Sequence, residues 1–285
     1  MSTVLYRRPA RLPPPEMPSG DLALQEPPVL PEEPTGNLSL FLTFLPMALG
    51  SSMMILLFVT LGQTGGPFIW LAGGLMVVMT LSMMVGQMGR TTSQRKRRTK
   101  GERRDYLRYL AQTRKKVRKL IAQQRQSLAW THPDPRSLGW VAMSSRLWER
   151  RPAHRDFAET RIGTGPQLFA VKIAPLQTKP VQDLEPMCAR ALRRFIKAYS
   201  TIPGQPVAVY LRAFAQVAFC GDVSGARAAA RALITQLFTF HAPDDLRITV
   251  CAGESSAGDW EWVKWLPHCQ HPFETDAAGP AATVR

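Results

Sequence analysis

Cysteine is scarce in this sequence of 285 residues. There are four, all beyond residue 187, and none forms a CxxC pair. A disulfide scaffold is therefore excluded as the basis of the fold. Acidic residues are also few: 21 Asp and Glu stand against 36 Lys and Arg. The imbalance is local. Fourteen of the basic residues lie in Arg90–Lys119, opposed there only by Glu102 and Asp105. A protein basic over its whole surface is excluded; one segment sets the net charge of +15. Charge is missing altogether from 38–61 and from 67–88. Disorder throughout is excluded, because the C-terminal half is rich in Leu, Val, Ile, Phe and Trp. Neither a catalytic triad nor a carboxylate pair can be assembled.

The two charge-free stretches each reach the roughly 20 apolar residues that a bilayer requires of a helix. Gly62-Gln-Thr-Gly-Gly66 between them is too short for anything but an antiparallel turn. The expectation is a membrane α-helical hairpin, with one spanning helix at 38–61 and a second at 67–88. The basic cluster directly after the second stretch places both termini in the cytoplasm by the positive-inside rule. The first 37 residues hold no apolar core of a signal peptide. No ionisable residue sits within either stretch, which argues for an anchor or assembly element over an ion path.

Residues 1–37 form a Pro-rich tail. It reads either as a disordered extension or as a strap with Leu22, Leu24, Val29 and Leu30 as its contacts. Residues 90–130 read as one basic stalk helix. Leu107, Leu110, Arg114, Val117, Ile121, Gln124 and Leu128 follow a 3-4-3-4 spacing, a seam with polar interruptions. Leu107, Leu110, Val117, Ile121 and Leu128 are its candidate partner interface. The basic face points first to anionic lipid, then to plain solvation. No aromatic platform accompanies it, which argues against nucleic acid.

Trp130-Thr-His-Pro-Asp-Pro135 ends the stalk, because paired prolines forbid further helix. Residues 131–285 then read as the start of an α/β domain. Strands are expected at Phe169–Ile173, Val207–Leu211, Val217–Cys220 and Leu246–Cys251. Helices are expected at Leu184–Tyr199 and Ser224–Phe240. Strand, Gly-rich turn, helix and strand make a βαβ unit.

The turn Gly221-Asp-Val-Ser-Gly225-Ala-Arg227 resembles a degenerate P-loop. A working loop needs G-x-x-x-x-G-K-[ST], whose Lys reaches phosphate and whose hydroxyl holds Mg²⁺. Here the second Gly comes one residue early, Ala226 takes the place of Lys, and Arg227 that of the hydroxyl. No acid ends the next expected strand. No cofactor is expected in this segment, and neither Walker motif is intact. His268, Cys269 and His271 lack a fourth ligand at metal-site spacing, so no metal is expected. Trp260, Trp262, Lys264, Trp265, Leu266, Pro267 and His268 form WEWVKWLPH, an amphipathic packing or docking element.

WEWVKWLPHCQHP (Trp260–Pro272) followed by ETDAAG resembles EccC, the family of FtsK/SpoIIIE-type ATPase subunits of type VII (ESX) secretion systems. YLRYL (Tyr106–Leu110), HPDP (His132–Pro135), LWERR (Leu147–Arg151), DFAETRIGTG (Asp156–Gly165) and RALITQLFTFHAPDDL (Arg231–Leu246) carry the same resemblance. It implies a two-pass protein of the bacterial inner membrane in an oligomeric complex with EccB-, EccD- and EccE-like subunits. It implies an incomplete degenerate ATPase-like (DUF) domain at 131–285. It also implies later domains that bind ATP and Mg²⁺ and take WXG100, PE and PPE substrates. The alternative reading is the membrane anchor of an FtsK/SpoIIIE-like DNA translocase.

Overall fold

The fold is that of a computed structural model. It describes residues 7–30, scattered positions between 45 and 60, and residues 68–175, 180–277 and 279–282. The chain divides into two compact units. One comprises Met1–Leu22, Lys116–Lys172 and Tyr199–Arg285; the other comprises Ala23–Lys115 and Ile173–Ala198.

In chain order the regular elements are β1 (Asp21–Leu24), α1 (Phe68–Thr131), α2 (Leu138–Ala142), β2 (Glu159–Leu168), β3 (Lys172–Pro175), α3 (Pro186–Tyr199), β4 (Thr201–Tyr210), α4 (Val223–Phe240), α5 (Ala257–Trp260), β5 (Gln270–Asp276) and β6 (Gly279–Ala282). Short 3-10 turns join several of them. Among the described residues the strands form three two-stranded sheets, β1 with β3, β2 with β4, and β5 with β6.

In the first unit, β2 and β4 run antiparallel from Glu159↔Tyr210 to Leu168↔Thr201, with irregularities after Arg161 and Gly165. A Cβ at Gly165 would come within 3.1 Å of the Val207 side chain, so glycine lets the two strands approach. Helix α4 lies against β2 and α2. Asp222 caps its N-terminus by accepting from Gly225 N–H at 3.0 Å. Its C-terminal turns bury Leu237 and Phe240, and Val117, Leu138, Phe157, Ile202 and Val263 are buried in the same unit. Burying each such side chain stabilises by roughly 1.5–3 kcal/mol as an upper estimate.

In the second unit the buried set is Leu24, Tyr106, Leu110, Leu184, Cys188, Ala189, Leu192 and Phe195. Tail residues 23–30 lie extended against this chain's own elements. Tyr106 Oη donates to the Gln25 carbonyl at 3.0 Å, and Gln25 N–H donates to Tyr109 Oη at 3.1 Å. Val29 bridges Leu184, and Leu30 N–H donates to the Asp183 carbonyl at 2.7 Å. Proline removes donors but leaves carbonyls free, and the Pro28 carbonyl accepts from Glu185 N–H at 2.8 Å. Glu185 caps α3 through Cys188 N–H at 2.7 Å and pairs with Arg103 at 2.7 Å.

Two sequence expectations are corrected. Among the described residues no helix is long and apolar enough to cross a membrane. That overturns the two spanning helices and, with them, two-pass placement in the inner membrane. Most of 38–61 lies outside the described residues. The stretch 67–88 is not an element of its own: α1 continues from Phe68 through the basic run to Thr131. No proline interrupts it, and Gly86 and Gly89 are tolerated within a helix that continues on both sides.

The βαβ unit is the second correction. Among the described residues, Val217–Cys220 is exposed and unpaired, and Leu246–Cys251 forms only one isolated bridge, at Val250. A strand needs a ladder partner, and apolar alternation alone does not supply one. Ile248 N–H instead donates to the His268 carbonyl at 3.0 Å. Two of the three strand pairs among the described residues, β2 with β4 and β5 with β6, are antiparallel, and neither is joined by the expected βαβ crossover. The strand expected at Phe169–Ile173 starts at Lys172, and β2, rich in Gly, forms where the sequence pattern gives no strand signal.

Candidate functional site

The densest polar chemistry lies in the first unit, around Arg150. LWERR and DFAETR place Glu149, Arg150, Arg151 and Asp156 on an irregular segment, and Glu159 and Arg161 at the start of β2. The Arg150 guanidinium is 2% exposed. It donates to the carbonyls of Thr131 (2.5 Å), Asp156 (3.4 Å) and Glu159, and stands 3.4 Å from the Asp156 carboxylate. It also lies over the Phe240 ring at 4.3 Å. Arg11 grips the same carboxylate through two bonds of 2.8 and 2.5 Å. Burial works against the Asp156 charge, but the Arg11 bond and the two guanidinium charges outweigh it and hold the carboxyl below its ordinary range. Burial pushes Glu159 upward, against the opposing pull of Arg150. Next to this cluster, Arg146 pairs with Glu149 at 2.6 and 3.0 Å and stacks on Trp130 at 4.1 Å.

Three histidines surround the cluster. Burial lowers His132 to about 4, and the Arg150 charge adds to it. His241 also falls to about 4 through burial, against the pull of its bond to Leu237. Its bonds fix a neutral ring. Nε2 accepts from Ala158 N–H at 2.9 Å, so Nδ1 carries the proton and donates to the Leu237 carbonyl at 2.9 Å. His268 is lowered by burial, and its Nε2 donates to the His241 carbonyl at 2.7 Å. Trp148 and Ala158 hold positive φ angles of 57° and 61° here, a conformation that costs about 1 kcal/mol or more at a non-glycine residue. The hydrogen-bond partners of the Arg150 guanidinium, His241 and His268 are backbone groups, and the Asp156 carboxylate stands beside the guanidinium. Such an arrangement locks loops.

The residues singled out from sequence fall elsewhere. Gly221 and Gly225 are exposed, and Gly221 has φ of 133°. Asp222 places its own carboxylate over the start of α4, where a phosphate would sit in a working loop. Arg227 forms an ion pair with Asp259. Trp260, Trp262, Lys264 and Leu266 are partly buried, Trp265 is 80% exposed, Pro267 is exposed, and His268 is buried. Lys264 pairs with Glu261 at 2.5 Å. Among the described residues no cluster of His, Cys, Asp and Glu could hold a metal ion. Leu110 and Val117 are buried within this chain, Ile121 and Leu128 are partly buried, and Leu107 is 47% exposed. The buried face of α1 is Tyr106, Leu110, Thr113, Val117, Gln124 and Ser127. It is turned from the expected seam, leaving the charged Arg114 in water.

The sequence pattern alone does not single out the Arg150 cluster. Its signal was present as ERR and DFAET on either side of a loop, but Arg11 lies 145 residues from its partner.

No family model matches the chain. Individual relatives do. The ESX secretion system protein EccC of Thermomonospora curvata is 50% identical over 279 residues, 98% of this chain and 21% of the relative. The ESX-3 secretion system protein EccC3 of Mycobacterium tuberculosis is 33% identical over 285 residues, 100% of this chain and 21% of the relative. The ESX-4 protein EccC4 of the same organism is 41% identical over 183 residues, 64% of this chain. These relatives are components of ESX secretion systems. The chain is a homologue of EccC and spans about a fifth of the length of the first and second of these relatives.

Proposed function

We propose that this chain is an assembly portion of an EccC-type subunit and acts in type VII (ESX) protein secretion. The observation that carries this reading is the 50% identity to an EccC protein over 98% of the chain. In the longer subunit, other domains would bind ATP and Mg²⁺ and engage WXG100, PE or PPE substrates, beside EccB-, EccD- and EccE-like partners. The geometry favours a scaffold role for this part. Arg150, Arg146, Arg11 and Glu185 are committed to structural pairs. A helix of 64 residues supplies a long, stiff element on which the tail can lie.

The test is made in a bacterium that carries the complete subunit. Deleting it is expected to abolish export of small WXG100-type proteins and to leave chromosome segregation unchanged. Restoring it with Arg150→Ala should fail to restore export, in step with lost assembly into the complex. Normal export after deletion, with a defect in DNA movement, would favour the DNA-translocase alternative and sink this one.

A further inference from the structure

We propose that a groove on α1 lined by Ser93, Lys96, Arg97 and Lys100 is a binding site for a phosphate-bearing anion. The groove has a volume of about 330 Å³. Its residues recur at intervals of three, one and three, which places them on one helical face. All four are exposed. Of the neighbouring cations, Arg98 pairs with Glu102 at 2.9 Å, Arg103 with Glu185 at 2.7 Å and Arg108 with Asp105 at 3.6 Å, while among the described residues no carboxylate pairs with Arg95 or Arg104. Among the described residues no carboxylate pairs with Lys96, Arg97 or Lys100. Three like charges within two turns repel one another, and an anion seated among them removes that repulsion.

The donor set selects phosphate. A guanidinium fork, two ammonium groups and a hydroxyl converge on one concave surface. A phosphate offers several acceptor oxygens and up to two charges, where a carboxylate offers two oxygens and one charge. A nucleic acid strand is a poorer match, because residues 89–105 contain no aromatic side chain on which a base could stack. The phosphate could come from a soluble polyphosphate compound or from a phospholipid headgroup, and the groove chemistry is the same for both.

The 285-residue chain is titrated with tripolyphosphate by calorimetry. In parallel it is sedimented with phosphatidylcholine vesicles prepared with and without phosphatidylglycerol. Saturable binding in at least one arm is expected. Tripolyphosphate alone would identify a soluble source, and the phosphatidylglycerol vesicles alone a headgroup source. The triple variant Lys96→Gln, Arg97→Gln, Lys100→Gln should weaken binding by roughly tenfold per cation removed. Ser93→Asp, which adds a carboxylate to the groove, should weaken it too. Arg114→Gln with Lys115→Gln and Arg118→Gln, on the same helix, should change it by no more than about twofold. No binding in either arm, or equal losses in both triples, would overturn the proposal.

Discussion

The side-chain amide of Gln236 is bonded to both backbone groups of Arg161. Its oxygen accepts from Arg161 N–H at 2.8 Å, and its nitrogen donates to the Arg161 carbonyl at 2.8 Å. One side chain of α4 thus occupies the place that a neighbouring strand would take on β2. Gln124 of α1 repeats the device, donating to the Leu168 carbonyl at 3.0 Å and accepting from Ala170 N–H at 2.9 Å. Both glutamines are buried, at 3% and 2% exposure. Two helices therefore satisfy the backbone at the two ends of a strand with poor intrinsic propensity.

Gln236→Ala is expected to leave two backbone groups without partners and to destabilise the unit by about 2–4 kcal/mol. Gln236→Glu keeps the acceptor but loses the donor, and should be destabilising as well. Denaturant midpoints measure both. A midpoint for Gln236→Ala equal to that of the parent would show that the amide bonds contribute nothing net.

How much of this was legible in advance divides along physical lines. Helices α3 and α4 were readable, because a period of 3.6 in apolar residues survives any tertiary context. Strand β2 was not: Gly163, Gly165 and Pro166 argue against a strand. Its stability comes from β4 and from the two glutamines, which lie 75 and 44 residues away. Val217–Cys220 erred in the other direction, with strand composition but no pairing neighbour among the described residues. In the sequence Gln124 is a polar interruption of the seam; its partners, Leu168 and Ala170, give that interruption its meaning. The EccC resemblance was legible because it rests on short dense motifs such as WEWVKWLPH, whose recognition needs no fold.

Acid should loosen the first unit in a defined window. His132 and His241 have folded values of about 4, below their ordinary 6.5. Between these values the unfolded chain binds more protons than the folded one, so stability falls as pH drops from 6.5 to 4. The two rings together carry a loss of several kcal/mol to order of magnitude. Asp156 adds a further loss at still lower pH, below its ordinary 3.8, while the raised Glu159 partly opposes it. Urea midpoints followed across this range should slope downward, and His132→Gln with His241→Gln should flatten the slope. A parent midpoint constant from pH 6.5 to 4.5 would contradict the burial of these rings.

Arg150→Lys should be nearly as damaging as Arg150→Ala. An ammonium cannot reach three carbonyls while lying flat on Phe240. Removing one partner of a buried ion cluster costs about 3–5 kcal/mol. Thermal unfolding of the two variants, compared with Arg136→Lys as an exchange away from the cluster, measures this. A mild Arg150→Lys would mean that charge alone, without the fork geometry, holds the loops.

The last expectation concerns the tail, and it separates the observed register of α1 from the heptad drawn from its sequence. Tyr106 and Tyr109 hold the two backbone groups of Gln25, while Leu107 points half into water. Tyr106→Phe removes one donor at a 7% exposed site and leaves the Gln25 carbonyl without that bond. The loss is about 1 kcal/mol, small against the whole unit. It should nevertheless appear locally, as faster amide exchange at Leu30 and Glu185, whose bonds tie the tail to the turn before α3. Leu107→Asn, at the position that the 3-4-3-4 spacing placed in the seam, should leave those amides as protected as in the parent. If Leu107→Asn exposes them and Tyr106→Phe does not, the buried face is the one drawn from sequence, and the tail is held by something other than the two tyrosines.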